Sequence, residues 1–132
     1  MANLIYDAAL CFGTRAISAG QFPDILNLGR VPGSTDTYPG KEFTNANLMT
    51  VDVLCSEPEG GTGLTVTVQG SADGSTGWTD VGKNTFTLAD TEAGPCKTAV
   101  SPNEFQYLRV TLAVTGTFTG TCAAYLNTYA GK

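Results

Sequence analysis

Apolar and polar residues alternate strictly along much of the second half of the chain. Residues 64–69 read Leu-Thr-Val-Thr-Val-Gln, and residues 107–114 carry Leu or Val at every second position. Residues 49–55 and 118–126 follow the same rule, with Cys and Ala among their apolar positions. Because successive side chains of a strand point to opposite faces, each run predicts a strand with one buried face.

Shorter strands and frequent turns complete this pattern. Residues 78–81 and 85–88 predict two short strands. The connecting segments are rich in Gly, Pro, Thr and acidic residues and predict turns or loops: residues 57–63, Asp73-Gly74, residues 89–102 and residues 115–117. No long window has apolar residues at helical spacing without a Gly or Pro break. The sequence therefore predicts an all-β fold, a jelly-roll-like antiparallel β-sandwich with an extended N-terminal segment.

The first third of the chain lacks the alternation. Residues 4–10 are mostly apolar, and Pro and Gly interrupt residues 30–42. We expect a single domain in which residues 46–132 form the sandwich core and residues 1–45 form an N-terminal strand or arm and an irregular segment. Two interpretations stay open for residues 4–12. They form an arm, which either wraps its own sandwich or reaches a neighbouring chain, or they form the first strand of the core.

Composition narrows the possible functions. The chain has 132 residues, with 7 basic and 12 acidic side chains and no His, giving a net charge of −5. Scattered cations on an acidic chain argue against nucleic-acid binding. Without His, the Ser-His-Asp and Cys-His catalytic arrangements and His-ligated metals are excluded. The longest apolar stretches are well below the roughly 20 residues of a spanning helix, and no signal peptide is visible, so we expect no membrane partner and synthesis in the cytoplasm.

The cysteines are far apart in sequence, at positions 11, 55, 96 and 122. Their spacing contains no Cys-x-x-Cys pair, which argues against a zinc site. An even number of cysteines would allow two disulfides. Synthesis in a reducing compartment instead favours free, buried thiols.

Acidic and glycine-rich segments offer weak candidates for chemistry. Asp73-Gly74-Ser75 could begin a calcium loop, but the other ligands of such a loop are missing, and a hairpin turn explains it better. Glu57 and Glu59 could form a glycosidase pair, but solvated loop acids are the simpler interpretation. The glycines of residues 59–63 lack the Lys and helix of a phosphate-binding loop. We predict no catalytic residues, no metal site and no cofactor.

Aromatic residues are the remaining candidates for binding. Trp78, the only Trp, could form an exposed platform, but its place beside a hairpin favours the core or the core rim. Tyr107 and Tyr125 are expected on outward faces of neighbouring strands, with Tyr129 facing the same way as Tyr125. Interface contact and packing within one chain both explain such tyrosines.

The hairpin of residues 64–82 resembles the central hairpin of the capsid cement proteins of tailed phages. Three further elements are similar in the same order: Ile5-Tyr6-Asp7-Ala8, Leu26-Asn27-Leu28-Gly29 and Tyr107-Leu108-Arg109-Val110. The resemblance therefore spans nearly the whole chain. It implies a jelly-roll-like sandwich that binds the outside of a mature capsid and ties neighbouring capsid subunits together, without catalytic residues.

We therefore expect a structural virion protein rather than an enzyme: a capsid cement or decoration protein on the outer capsid surface. Its expected partners are the phage major capsid protein and further copies of itself, a trimer before a dimer, because exposed strand edges need cover. Candidate contacts with the capsid or within the oligomer are apolar residues of the N-terminal segment and tyrosines near the C-terminus: Leu4, Ile5, Tyr6, Leu10, Phe12, Tyr107, Tyr125 and Tyr129. The alternative is a carbohydrate-binding β-sandwich module of a phage or secreted protein.

Overall fold

The computed structural model describes residues 11–27, 49–100 and 106–127, which form one antiparallel sheet and a short helix. The elements are β1 (Cys11–Ala16), β2 (Gly20–Gln21), β3 (Leu26–Asn27), β4 (Met49–Ser71), β5 (Thr79–Thr87), α1 (Leu88–Ala93), β6 (Cys96–Val100) and β7 (Tyr107–Asn127). The predicted all-β antiparallel fold is confirmed. The jelly-roll order of its strands stays a prediction.

Two long strands, β4 and β7, organise the sheet. They pair from Thr50 opposite Asn127 to Ser71 opposite Tyr107. Between residues 56 and 63 the register of this ladder shifts, and Gly61 lies opposite Gly116. The inward-facing positions of β4 change from odd to even numbers across this bend, so that both ends of the strand bury their apolar face.

The bend divides the sheet into two half-sheets. In the first half-sheet, residues 49–56 and 121–127 of the long strands pair with β6 and β1. In the second half-sheet, residues 63–71 and 107–115 pair with β5 and with the short strands β2 and β3. Apolar residues of both halves belong to one core cluster, so a single folded sheet encloses the core as a sandwich does.

Glycine makes the bend possible. A Cβ atom at Gly61 would lie 2.1 Å from ring carbons of Phe118, so the Phe118 ring rests directly on the Gly61 backbone. Gly116 has a φ of 82°, a conformation that suits glycine. Residues 57–63 and 115–117 were predicted to be a loop and a turn, and this was wrong. Each is part of a continuous strand, because the two irregular segments pair with each other.

The N-terminal part of the described chain belongs to the core. Phe12 is 0% exposed, and Ile17, Phe22 and Leu26 are also buried in the same cluster. The amide of Asp24 donates to the carbonyl of Phe12 at 2.9 Å and so joins β1 to the segment that follows β2. The core cluster thus includes residues on the N-terminal side of the predicted boundary at residue 45. Residues 1–10 lie outside the described part of the chain.

The segment predicted as a loop over residues 89–102 contains regular structure. Helix α1 begins at Leu88 behind a capping box, in which the Asp90 amide donates to the Thr87 hydroxyl and Asp90 accepts the Thr87 amide. Strand β6 follows and pairs with β4. The two short strands predicted over residues 78–81 and 85–88 are one continuous strand, β5. Leu88, the last residue of the second predicted strand, is instead the first residue of the helix. In the described ranges, no helix is long and apolar enough to cross a membrane.

Candidate functional site

Polar side chains of three neighbouring strands lie in one row on the outer surface of the second half-sheet. Gln69 of β4 is opposite Arg109 of β7 on one side and opposite Asp80 of β5 on the other. Their neighbours Val68 and Val110 are fully buried. Because strand positions alternate, the inward valines place Gln69 and Arg109 on the outside.

Hydrogen bonds join this row from end to end. Arg109 Nε donates to Gln69 Oε1 at 2.9 Å, and Gln69 Nε2 donates to Asp80 Oδ1 at 3.0 Å. A second guanidinium nitrogen of Arg109 donates to Gln21 Oε1 at 3.3 Å, which extends the row to β2. The amide of Gln69 thus uses its oxygen towards the cation and its nitrogen towards the carboxylate. Each side chain of the row is held in place by its neighbours. Side chains ordered in this way lose less conformational entropy on making a contact.

Trp78 lies against this row. The Arg109 guanidinium carbon is 4.2 Å from the centroid of the Trp78 ring, a cation–π contact. Trp78 is only half-buried and does not belong to the core cluster. The prediction of a core or core-rim position was therefore wrong. A Trp directly before a strand has no alternation that fixes its face, and its partner Arg109 is distant in sequence.

Tyr107 and the β4–β5 hairpin border the row. A Cβ atom at Gly74 would lie 3.1 Å from the Tyr107 ring, so this ring packs on the hairpin backbone. The outer surface formed here is called the Trp78 face and consists of Gln21, Gln69, Trp78, Asp80, Tyr107 and Arg109. Sequence analysis selected only Tyr107 as an interface candidate. What sequence analysis missed is the pairing register, with its shift beside Gln69, that places Gln69, Arg109 and Asp80 side by side.

The Asp73 side chain fixes the turn of the β4–β5 hairpin. Asp73 Oδ1 accepts the amides of Ser75 and Thr76 at 2.8 and 2.9 Å. These bonds, that of Thr76 foremost, hold the pKa of Asp73 well below its ordinary value. The buried Ser71 hydroxyl lies 2.6 Å from the Thr76 carbonyl and accepts the Gly74 amide. The predicted hairpin turn is confirmed. The Asp73 carboxylate accepts hydrogen bonds from amides of this turn.

Tyr125 lies far from the Trp78 face. It is on β7, as Tyr107 is, but in the first half-sheet, opposite Asp52. The prediction that these tyrosines lie on neighbouring strands was wrong, because β7 is one strand and carries both. Cys11, its partner in the β1–β7 ladder, raises the pKa of Tyr125. Both tyrosines are half-buried and face outwards. Because they lie in different half-sheets, they cannot contribute to one small contact surface.

The other predicted contact residues divide into two groups. Phe12 fills the core, so its side chain is not available to a partner, and its selection as a contact residue is corrected here. The strand interpretation of the N-terminal segment holds for Cys11 and Phe12, which lie in β1. The remaining candidates lie outside the described residues: Leu4, Ile5, Tyr6, Leu10 and Tyr129.

Acidic residues form no metal-binding group in the described part of the chain. Glu57 and Glu59 are exposed at the bend of β4. Over the ranges that the structure describes, no group of three or more Cys, Asp or Glu side chains is placed to hold a metal ion. The Trp78 face is therefore taken as the candidate functional surface.

Comparison with known proteins adds no relative. The sequence matches no protein-family model and no curated protein.

Proposed function

We propose that this chain is a binding protein that acts through the Trp78 face, and that it serves as a capsid cement protein of a tailed phage. The observation that carries the proposal is the hydrogen-bonded row of Arg109, Gln69 and Asp80 with Trp78 stacked on the guanidinium. Trp, Tyr and Arg are the residues that most often dominate binding energy in protein interfaces. All three occur on this face.

The same face unites the elements that resemble cement proteins. The hairpin of residues 64–82 supplies Gln69, Trp78 and Asp80, and the element of residues 107–110 supplies Tyr107 and Arg109. Two separate parts of the resemblance thus meet on one surface of the fold. This supports an adhesive role for the shared elements.

Charge on the face is nearly balanced, since Gln69 links Arg109 to Asp80. Its fit to a partner therefore depends on shape and hydrogen bonds rather than on net charge. A shell presents many identical sites, so weak contacts of linked copies add up through effective concentration. A protein that binds only the assembled shell stabilises it by mass action.

The proposed assembly on the shell is a homo-oligomer, a trimer before a dimer. An oligomer was expected because exposed strand edges need to be covered. Edges β5 and β6 partly cover each other, because Asn84 Nδ2 donates to the Lys97 carbonyl at 3.3 Å and Gly82 lies against Ala99. The oligomer contact is therefore expected elsewhere than at these two edges.

Cosedimentation with mature, undecorated shells of the phage that encodes the chain tests the proposal. We expect the wild-type chain to bind and to raise the temperature at which the shells disrupt. Trp78→Ala and Arg109→Ala should each weaken binding at least tenfold. The exposed Thr119→Ala, at the bend of β7, is the matched control and should bind normally. Wild-type protein that does not bind such shells contradicts the proposal.

A carbohydrate-binding function is the second candidate. It is favoured by Trp78 lying on the outer surface beside the planar groups of Gln69 and Asp80, since sugars stack on aromatic rings and bond to such groups. A glycan array with the same variants separates the two functions. Glycan binding that is lost in Trp78→Ala, together with no binding to shells, would support this function instead.

A further inference from the structure

Three thiols meet on the inner face of the first half-sheet, away from the Trp78 face. Cys55 of β4 lies directly opposite Cys122 of β7. Cys96, the first residue of β6, is opposite Val53 and is therefore the diagonal neighbour of Cys55. Diagonal neighbours on one face of a sheet are within side-chain reach. All three cysteines are free thiols.

The three thiols differ in exposure. Cys96 and Cys122 are buried, whereas Cys55 packs against the core and is half-buried. Residue Cys55 borders an open groove of about 650 Å³. Exposed acids, Glu57, Glu59 and Glu92, line the same groove. A small neutral molecule can therefore approach Cys55 through the groove, while an anionic one is repelled.

The surroundings of Cys55 and Cys96 differ. The Cys96 thiol donates to the Asp90 carbonyl at 3.9 Å. Interaction with the Cys96 thiol lowers the pKa of Cys55, and burial opposes this shift. Interaction with Cys55 and burial raise the pKa of Cys96, and burial raises that of Cys122 to about 12. Cys55 is thus the first of the three to ionise, and the thiolate is the nucleophilic form of cysteine.

We propose that Cys55 is a redox-reactive thiol that a neutral peroxide converts, with Cys96 as the resolving thiol, into an internal Cys55–Cys96 disulfide. The Cys55 sulfur attacks hydrogen peroxide, the O–O bond breaks, and one water leaves, which gives a sulfenic acid. The Cys96 sulfur then attacks the Cys55 sulfur, the S–O bond breaks, and a second water leaves with the thiol proton. Two thiols are oxidised by two electrons, and one peroxide is reduced to two waters.

Cys96 is a better resolving thiol than Cys122 for two reasons. Its thiol is the main influence on the pKa of Cys55, whereas burial is the main influence on the pKa of Cys122. It also begins a short strand directly after Pro95, where a small shift disturbs few ladder bonds. Cys122 is held in a central strand between Arg15 of β1 and Cys55 of β4. The disulfide would link β4 to β6 and close a loop over α1, and it is independent of the proposed function.

Peptide mapping of the full chain tests this inference. Reduced protein is treated with hydrogen peroxide, alkylated under denaturing conditions and digested without reductant. We expect untreated protein to carry four alkylated cysteines, and treated protein to lose two and to yield a peptide bridged between Cys55 and Cys96. Cys55→Ser should abolish the bridge, whereas the matched Cys122→Ser and Cys11→Ser variants should keep it.

Two measurements on folded protein make the test independent of variant stability. In the wild type, neutral iodoacetamide should alkylate Cys55 before Cys96 and Cys122. In Cys96→Ser, dimedone should trap a sulfenic acid at Cys55 after peroxide treatment. A bridge between Cys55 and Cys122, four thiols that survive peroxide, or first alkylation at Cys96 or Cys122 would each overturn the proposal.

Discussion

Lys97 Nζ lies 2.7 Å from Asp52 Oδ2, and the Asp52 side chain is 0% exposed. The two residues are directly opposite each other on β6 and β4. The Thr50 hydroxyl also donates to the Asp52 carboxylate, at 2.8 Å. A buried charge is costly unless it is paired, so this contact helps to fix the register of the short strand β6 on the long strand β4.

Removal of the Lys97 ammonium should therefore destabilise the fold. Lys97→Met keeps the aliphatic stem and leaves Asp52 without this cation. We expect a loss of about 2 to 3 kcal/mol in the free energy of unfolding, near the lower end for a buried pair, because the Lys97 side chain is 47% exposed. Denaturant titration measures this loss. The exposed Lys83→Met is the control, and equal stability of the two variants would contradict the role given to the ion pair.

The contact between Gly61 and Phe118 predicts a coupled pair of substitutions. Gly61→Ala places a methyl group where the Phe118 ring lies, and overpacking of this kind costs about 1 to 3 kcal/mol. In a Phe118→Leu background the same change should cost clearly less, because the ring is gone. A double-mutant cycle by thermal or denaturant unfolding measures the coupling. If the two substitutions change the free energy of unfolding additively, the Phe118 ring is not what makes a side chain at residue 61 costly.

Thr98 predicts a stabilising substitution. Its hydroxyl oxygen is buried and finds no hydrogen-bond partner among the described residues. Thr98→Val removes the unsatisfied group at nearly constant volume and should raise the free energy of unfolding by about 1 kcal/mol. Thr65→Val, which removes the hydrogen bond to the Thr85 hydroxyl, should give no such gain. A destabilised Thr98→Val protein would show that the hydroxyl is satisfied in solution.

Asp73 predicts a pH dependence of stability. Its pKa is lowered in the folded state, so its charge stabilises the fold above the pKa of the unfolded chain. This contribution to stability is lost as the pH falls towards the pKa that Asp73 has in the folded state. Asp73→Asn keeps an acceptor oxygen but not the charge. The wild type should therefore melt above the variant at neutral pH, and the gap should narrow below about pH 4.

Thermal melts from pH 7 to pH 2 measure this gap. Glu59→Gln, at an exposed acid, is the control for general charge effects. A difference between wild type and Asp73→Asn that stays constant over this range would contradict the role of the charge in the hairpin.

The strands that alternate were predictable, and the bend was not. Val66 and Val110 lie in runs whose period identifies both the strand and its buried face. Gly61 and Gly116 are found in segments whose composition is that of loops, and only their pairing across the chain makes them parts of strands. Helix α1 is 6 residues long, too short for a helical period. Its one local signal is the capping box of Thr87 and Asp90.

The candidate site shows the same limit. Outward positions of Gln69 and Arg109 follow from alternation, but their contact depends on strand register. The register shift next to Gln69 brings Asp80 opposite it, and composition does not reveal that shift. Stacking of Trp78 on Arg109 depends in turn on this register. Sequence patterns therefore indicated which residues face outwards and left open which of them meet.

Because β4 and β7 each run through both half-sheets, one backbone ladder joins the two halves. A force applied along these strands at the Trp78 face would load their ladder in shear, and many backbone hydrogen bonds would have to break together. A pull across the strands would instead open the ladder one bond at a time. The molecule is thus expected to resist mechanical load anisotropically, with its strong direction along the two long strands.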